Sequence, residues 1–131
     1  MQQATEQAEQ IALITWVDYM LAQEPRLLLL FHPANGEKRD PRTGALLKRM
    51  GVRKGIPDIM FPQPSREYLG LAIEMKAGKN KLTDEQREYL ERLRAVGWYT
   101  EVCYSWCVAV ARICWYLDMP MPQGLRVLLT S

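Results

Sequence analysis

Histidine is all but missing from this chain: His32 is the only one in 131 residues. That argues against a histidine-rich metal centre and against a serine-type triad, and His32 itself reads as structural. Cysteine is scarce too, and Cys103, Cys107 and Cys114 are odd in number, set in apolar surroundings, and not paired as in a zinc ribbon or a redox CxxC. They read as reduced core residues. No apolar run is long enough to span a bilayer; the longest clean one, Leu27 to Phe31, reads instead as a buried strand. Met1 to Gln10 is polar and mildly acidic, without the basic and apolar regions of a secretory signal, so a cytosolic location with no membrane partner is expected. A formal charge of +2 is too small to demand a nucleic-acid partner, and only the distribution of charge can argue for one.

What is present is the ordinary composition of a globular protein, 48% hydrophobic and 24% charged, which favours neither wholesale disorder nor a membrane protein. The length suits one domain over residues 1–131, large enough to bury a core without a metal or disulfide staple.

Between Thr5 and Ala22, Leu13, Trp16, Val17, Met20 and Leu21 recur at helical spacing until Pro25 stops the helix. After the Leu27 to Phe31 strand, His32 to Gly55 is rich in Pro, Gly and basic residues, reading as a binding loop with a short helix around Ala45 to Met50. Ile56 to Phe61 and Tyr68 to Lys76 read as two strands of an antiparallel hairpin, joined by a turn over Pro62 to Arg66. Thr83 and Gln86 form a capping box that opens a second long helix, and Gly97 closes it. Trp98 to Tyr104 is a further strand, and Trp106, Val110, Ile113 and Leu117 mark a last helix before Pro120 and Pro122. The order α-β-β-β-α-β-α predicts an α/β fold, a mixed β-sheet flanked by helices, with the capped helix crossing between two parallel strands.

The chemistry concentrates in the hairpin. Period-two alternation sends Leu71, Ile73 and Met75 to one face of their strand and Glu74 and Lys76 to the other. Such charges on so apolar a strand mean either a solvated ion pair on an edge strand or a functional site. Asp58, on the neighbouring strand, would come beside Glu74 and complete a pair of hard oxygen ligands for one divalent ion. A magnesium ion there would polarise a scissile phosphate and lower the pKa of a bound water, while Lys76 orients that water or stabilises developing negative charge.

Two further residues are open to two readings. Glu9, with Glu6, extends the buried stripe of the first helix; it is either a third metal ligand or a first-turn acid favoured by the helix dipole. Gln86 either reaches the site with its amide or serves the capping box alone. Ahead of Asp58, Lys38, Arg39, Arg42, Lys48, Arg49, Arg53 and Lys54 are only lightly offset by Glu37 and Asp40, and Lys79 and Lys81 add charge beyond Lys76. These are the expected DNA-binding residues, supplying affinity through counterion release without reading bases; a solvated basic loop is the plainer alternative.

Taken together, Gly55-Ile56-Pro57-Asp58, then Glu74-Met75-Lys76, then Gln86 resemble the PD-(D/E)xK signature in the form found in the VRR-NUC family of nucleases. Glu9-Gln10, Pro33-Ala34-Asn35-Gly36 with Arg39, Leu47 to Gly51, and Leu90 to Gly97 also resemble the compact phage and bacterial members, whereas His32 to Asn35 departs from their usual apolar-Pro-Asn-Gly form. The resemblance implies a restriction-endonuclease-like fold and Mg²⁺ dependence, with Mn²⁺ substituting. It implies catalytic roles for Asp58, Glu74, Lys76, Gln86 and Glu9, with Asp58, Glu74 and Glu9 at the metal and Glu6 the alternative on the same helix. Stand-alone members resemble structure-selective nucleases, including Holliday-junction resolvases acting as homodimers. The expected function is therefore cleavage of branched DNA by a homodimer. A flap or replication-fork nuclease, a non-catalytic DNA-binding module and an α/β interaction domain with coincidental charges are the competing expectations.

Overall fold

In the structure, a computed structural model, residues 5–34 and 41–124 are described. The first helix, α1 (Glu6–Met20), begins where the Thr5 hydroxyl accepts a hydrogen bond from the Ala8 amide, and it buries Leu13 and Val17. Leu27 to Phe31 departs from its expected strand. Pro25–Leu29 is a 3₁₀ helix, in which Leu27 (1% exposed) is buried beside Leu30 while Leu28 (76%) faces outward. The burial repeats every three residues, as a 3₁₀ turn requires, and an apolar run carries no period from which to tell this from a strand. Only Phe31 enters a β-bridge, exchanging both backbone hydrogen bonds with Met60.

The second helix, α2 (Pro41–Arg49), buries none of its residues. Three strands follow, β1 (Ile59–Phe61), β2 (Leu71–Met75) and β3 (Tyr99–Cys103), in the spatial order β1-β2-β3. β1 runs antiparallel to β2 and β2 parallel to β3, so the sheet is mixed. The crossover is α3 (Asp84–Ala95), opened by the Thr83–Gln86 capping box. It ends where Gly97, at φ 104°, directs the Trp98 amide back to the Leu93 carbonyl and its own amide to that of Arg94. The chain then enters α4 (Trp106–Leu117), capped by Ser105.

Leu13 and Val17 of α1, alternate residues of the strands (Ile59, Phe61, Leu71, Ile73, Met75, Cys103) and Val110, Ile113 and Tyr116 of α4 form one buried core. α3 covers the other face of β2. Every residue of β2 is consequently buried, and the strand is central, which removes the solvated edge pair as an account of Glu74. Cys103 and Cys114 are buried in that core and Cys107 half-buried; all three are free thiols, and burial pushes Cys103 up to about 12 and Cys114 to about 11. No helix among the described residues is long and apolar enough to cross a membrane.

Candidate active site

β1 is joined in register to β2 through Ile59 opposite Ile73, which brings Asp58, the residue before β1, to the level of Glu74. Asp58 is held from three sides. Its Oδ2 accepts the Met75 amide at 2.8 Å, its backbone carbonyl lies 2.6 Å from His32 Nδ1, and it follows the fully buried Pro57. Gly55 sets the approach: at φ 79° it lies so close to α3 that a Cβ would sit 2.5 Å from the Glu85 carbonyl carbon and 2.9 Å from the Gln86 amide nitrogen. Only glycine combines that backbone angle with that proximity.

Glu74 is 2% exposed. Burial, reinforced by contact with the Asp58 carboxyl and opposed by Lys76, pushes its pKa up to about 9. Gln86 Nε2 approaches Glu74 Oε1 at 3.4 Å, whereas Glu74 Oε2 is buried with no hydrogen-bond partner. A buried carboxylate oxygen left unsatisfied costs free energy that the fold must offset elsewhere, unless something else occupies its lone pairs in the working protein.

The Gln86 side chain divides its two ends between the alternatives open in the sequence. Its Oε1 accepts the Thr83 amide at 2.9 Å, completing the capping box, and its Nε2 faces Glu74. Lys76 has 7% of its side chain exposed and lies 3.7 Å from Glu6 Oε1, which also accepts a hydrogen bond from Asn80 Nδ2 at 3.3 Å.

An acid just ahead of β1, where a strand from Ile56 was expected, an acid within β2, a lysine two residues beyond the second acid and a glutamine from the crossover helix therefore meet at one end of the sheet. The model of the VRR-NUC domain matches residues 4–106, which contain all of them. The chain belongs to the VRR-NUC family. A solved structure described as a VRR_NUC domain protein superimposes with a TM-score of 0.72 at 26% identity, covering 91% of this chain and 93% of its own. No curated protein matches the chain. The VRR-NUC domain implies a nuclease-type DNA-processing function.

Within the VRR-NUC domain the two glutamates of α1 part company. Glu6 contacts Lys76 and adds to the negative field on Glu74, whereas Glu9 adds to the negative field on Cys107, at the start of α4. Among the described residues no three His, Cys, Asp or Glu side chains are gathered as a complete metal shell. The expected trio of Asp58, Glu74 and Glu9 is thus not assembled. What the structure offers a cation is the pair Asp58 and Glu74, with one buried oxygen unsatisfied, and that donor chemistry fits a hard divalent ion.

Of the expected DNA-binding residues, Lys38 and Arg39 lie outside the described residues. Arg42, Lys48 and Arg49 are exposed on α2, Arg53 and Lys54 on the turn that leads to Gly55, and Lys79 and Lys81 on the loop between β2 and α3. Asn80 is a residue that sequence reasoning missed, and His32, read as structural, holds the main chain of Asp58. A lone histidine and a loop asparagine bear no mark of their long-range partners, Asp58 and Glu6.

Proposed function

We propose that this VRR-NUC domain is a metal-dependent, structure-selective DNA endonuclease that hydrolyses phosphodiester bonds in branched DNA, with Holliday-junction resolution by a homodimer as its foremost activity. The observation that carries the proposal is the pairing of Asp58 with a buried Glu74 whose Oε2 has no partner. Two carboxyl groups packed together, one just ahead of β1 and one within β2, destabilise each other once both are ionised unless a cation lies between them.

Asp58 and Glu74 would hold Mg²⁺ or Mn²⁺, which when bound supplies Lewis-acid polarisation of a phosphoryl oxygen and a more acidic water. The chain's own residues do the rest. Lys76 carries an ammonium group to the phosphate, with Glu6 and Asn80 orienting it from the side. Gln86 Nε2 hydrogen-bonds the Glu74 carboxylate and keeps its orientation once the proton is gone. His32 fixes the main chain at Asp58. Arg42, Lys48, Arg49, Arg53 and Lys54, with Lys79 and Lys81, engage DNA phosphates and position the duplex arms without reading sequence. Symmetric cutting of a four-way junction needs two sites, and a two-fold homodimer is the simplest way for a domain of this size to present them.

The test incubates labelled four-way junction, flap and linear duplex DNA with the protein, with and without Mg²⁺, beside Lys76→Ala and Asp58→Ala. The expected result is metal-dependent cutting of branched DNA, strongest on the junction, that both substitutions abolish while DNA binding survives. Cutting by the two variants at the wild-type rate overturns the site. Preference for the flap redirects the substrate, and a one-chain mass in light scattering with junction bound removes the homodimer.

A further inference from the structure

β3 ends at Cys103, and its parallel register on β2 sets Glu74 beside Val102 and Met75 beside Cys103. One step further along, the Lys76 amide donates to the Cys103 carbonyl, so Tyr104 comes level with Lys76 at the same end of the sheet. Tyr104 is 47% exposed there, a large aromatic surface left in solvent. It does not swing freely: its hydroxyl donates to the Asn80 carbonyl at 2.9 Å, while the Asn80 side chain donates to Glu6, the partner of Lys76. The ring is thereby tethered at its far end to the loop that carries the exposed Lys79 and Lys81.

A tethered, half-exposed aromatic ring flanked by lysines suits a nucleobase with a free π-face, because stacking needs a fixed platform and the phosphates beside the base need cations. Bases within a continuous duplex are already stacked on both sides; those at a branch, flap or fork are not. We propose that Tyr104 is a stacking platform for an unpaired nucleobase at the mouth of the site, and that it contributes to the selection of branched over continuous DNA. The idea deepens the nuclease reading and rests on it for the selection, but the stacking itself is measurable without any cleavage.

The test measures binding in EDTA, where no cutting occurs, of splayed-arm DNA carrying 2-aminopurine in the unpaired bases nearest the branch, and of a continuous duplex of equal length. Wild type is expected to quench the 2-aminopurine. Tyr104→Phe, which keeps the ring but loses the hydroxyl tether, should still quench, though less than wild type, and lose only about threefold in affinity, whereas Tyr104→Ala should lose the quenching and about tenfold in affinity for splayed DNA only. Equal losses in the two variants would assign Tyr104 to fastening the loop and overturn stacking, as would an equal loss on duplex. Absence of metal-dependent cutting by the wild type, measured separately, would sink the nuclease reading while leaving the stacking result standing.

Discussion

His32 Nδ1 lies 2.6 Å from the backbone carbonyl oxygen of Asp58, a residue 26 positions away in the chain. A carbonyl can only accept, so Nδ1 carries the proton and the imidazole donates. The ring acts on the main chain, leaving the Asp58 carboxylate free to receive the Met75 amide on one oxygen and a ligand on the other. Loss of the contact displaces Asp58 without removing it. His32→Ala is expected to lower kcat by about tenfold or more, since small misplacements at a reacting centre are costly, with DNA affinity nearly unchanged. His32→Asn, which restores a donor, should recover part of the rate. Single-turnover cleavage and binding titrations on the same junction check both.

Glu74 has an ordinary carboxyl pKa of 4.5 before folding and one raised to about 9 after it, because burial and Asp58 favour the neutral acid. The folded state therefore holds its proton where the unfolded state has released it. The contribution of Glu74 to the stability of the metal-free protein is fully present below about pH 4.5 and is lost progressively as pH rises towards about 9. Glu74→Gln removes the charge and keeps the shape. Melting in EDTA should show a flatter pH dependence for Glu74→Gln than for wild type and a higher Tm at pH 8, together with loss of cleavage. In the wild type, added Mg²⁺ or Mn²⁺ should raise Tm more at pH 8 than at pH 6, because the cation competes with a proton for the same oxygens.

Gln86 offers a substitution that separates its two uses. Gln86→Glu keeps an acceptor for the Thr83 amide, since glutamate serves equally in a capping box, but replaces the donor that faces Glu74 with a third negative charge. Cleavage is expected to fall by about tenfold or more and the apparent affinity for Mg²⁺ to change, because Gln86 touches a group that would hold the ion, while the Tm at pH 6 without metal shifts little. A large fall in Tm with unchanged cleavage would confine Gln86 to starting the helix.

Gly55→Ala tests whether the close approach to α3 matters. The new methyl group meets the Glu85 main chain at 2.5 Å on a backbone held at φ 79°. Strain in the left-handed region costs about 1–3 kcal/mol by itself, and here the clash is with backbone that cannot rotate away. Denaturant unfolding should show a loss of at least about 2 kcal/mol, with cleavage reduced further because Asp58 and Gln86 are moved apart. An unchanged midpoint would show that the contact is not needed.

The hairpin turn, expected over Pro62 to Arg66 and centred on Arg66 and Glu67, illustrates why sequence misplaces some elements. Its central residues, Arg66 and Glu67, sit at φ 50° and 68° without being Asn or Gly, the residues that usually announce such a turn. Distant contacts hold them there: the Ser65 hydroxyl donates to the Tyr116 carbonyl, and Arg66 donates to the Trp115 carbonyl while lying 4.4 Å over its ring. The Leu27 to Phe31 segment failed as a strand for a related reason, its five apolar residues having no period to separate strand from 3₁₀ helix. Where the pattern was long or its caps specific, as in α1, α3 and α4, the elements were legible with their ends.

By itself, the order of residues determined the class of fold, the capped crossover helix and the identity of the acidic and basic groups gathered near Asp58, because periodicity and capping are local properties that neighbouring residues express together. Tertiary structure alone decided that β2 is central rather than an edge, that Glu6 rather than Glu9 meets Lys76, and that His32, Asn80 and Tyr104 border the site. Those outcomes depend on how α1, the sheet and α3 pack around a shared end. Helical spacing places two glutamates on one stripe, but only the docked helix decides which of them reaches the lysine.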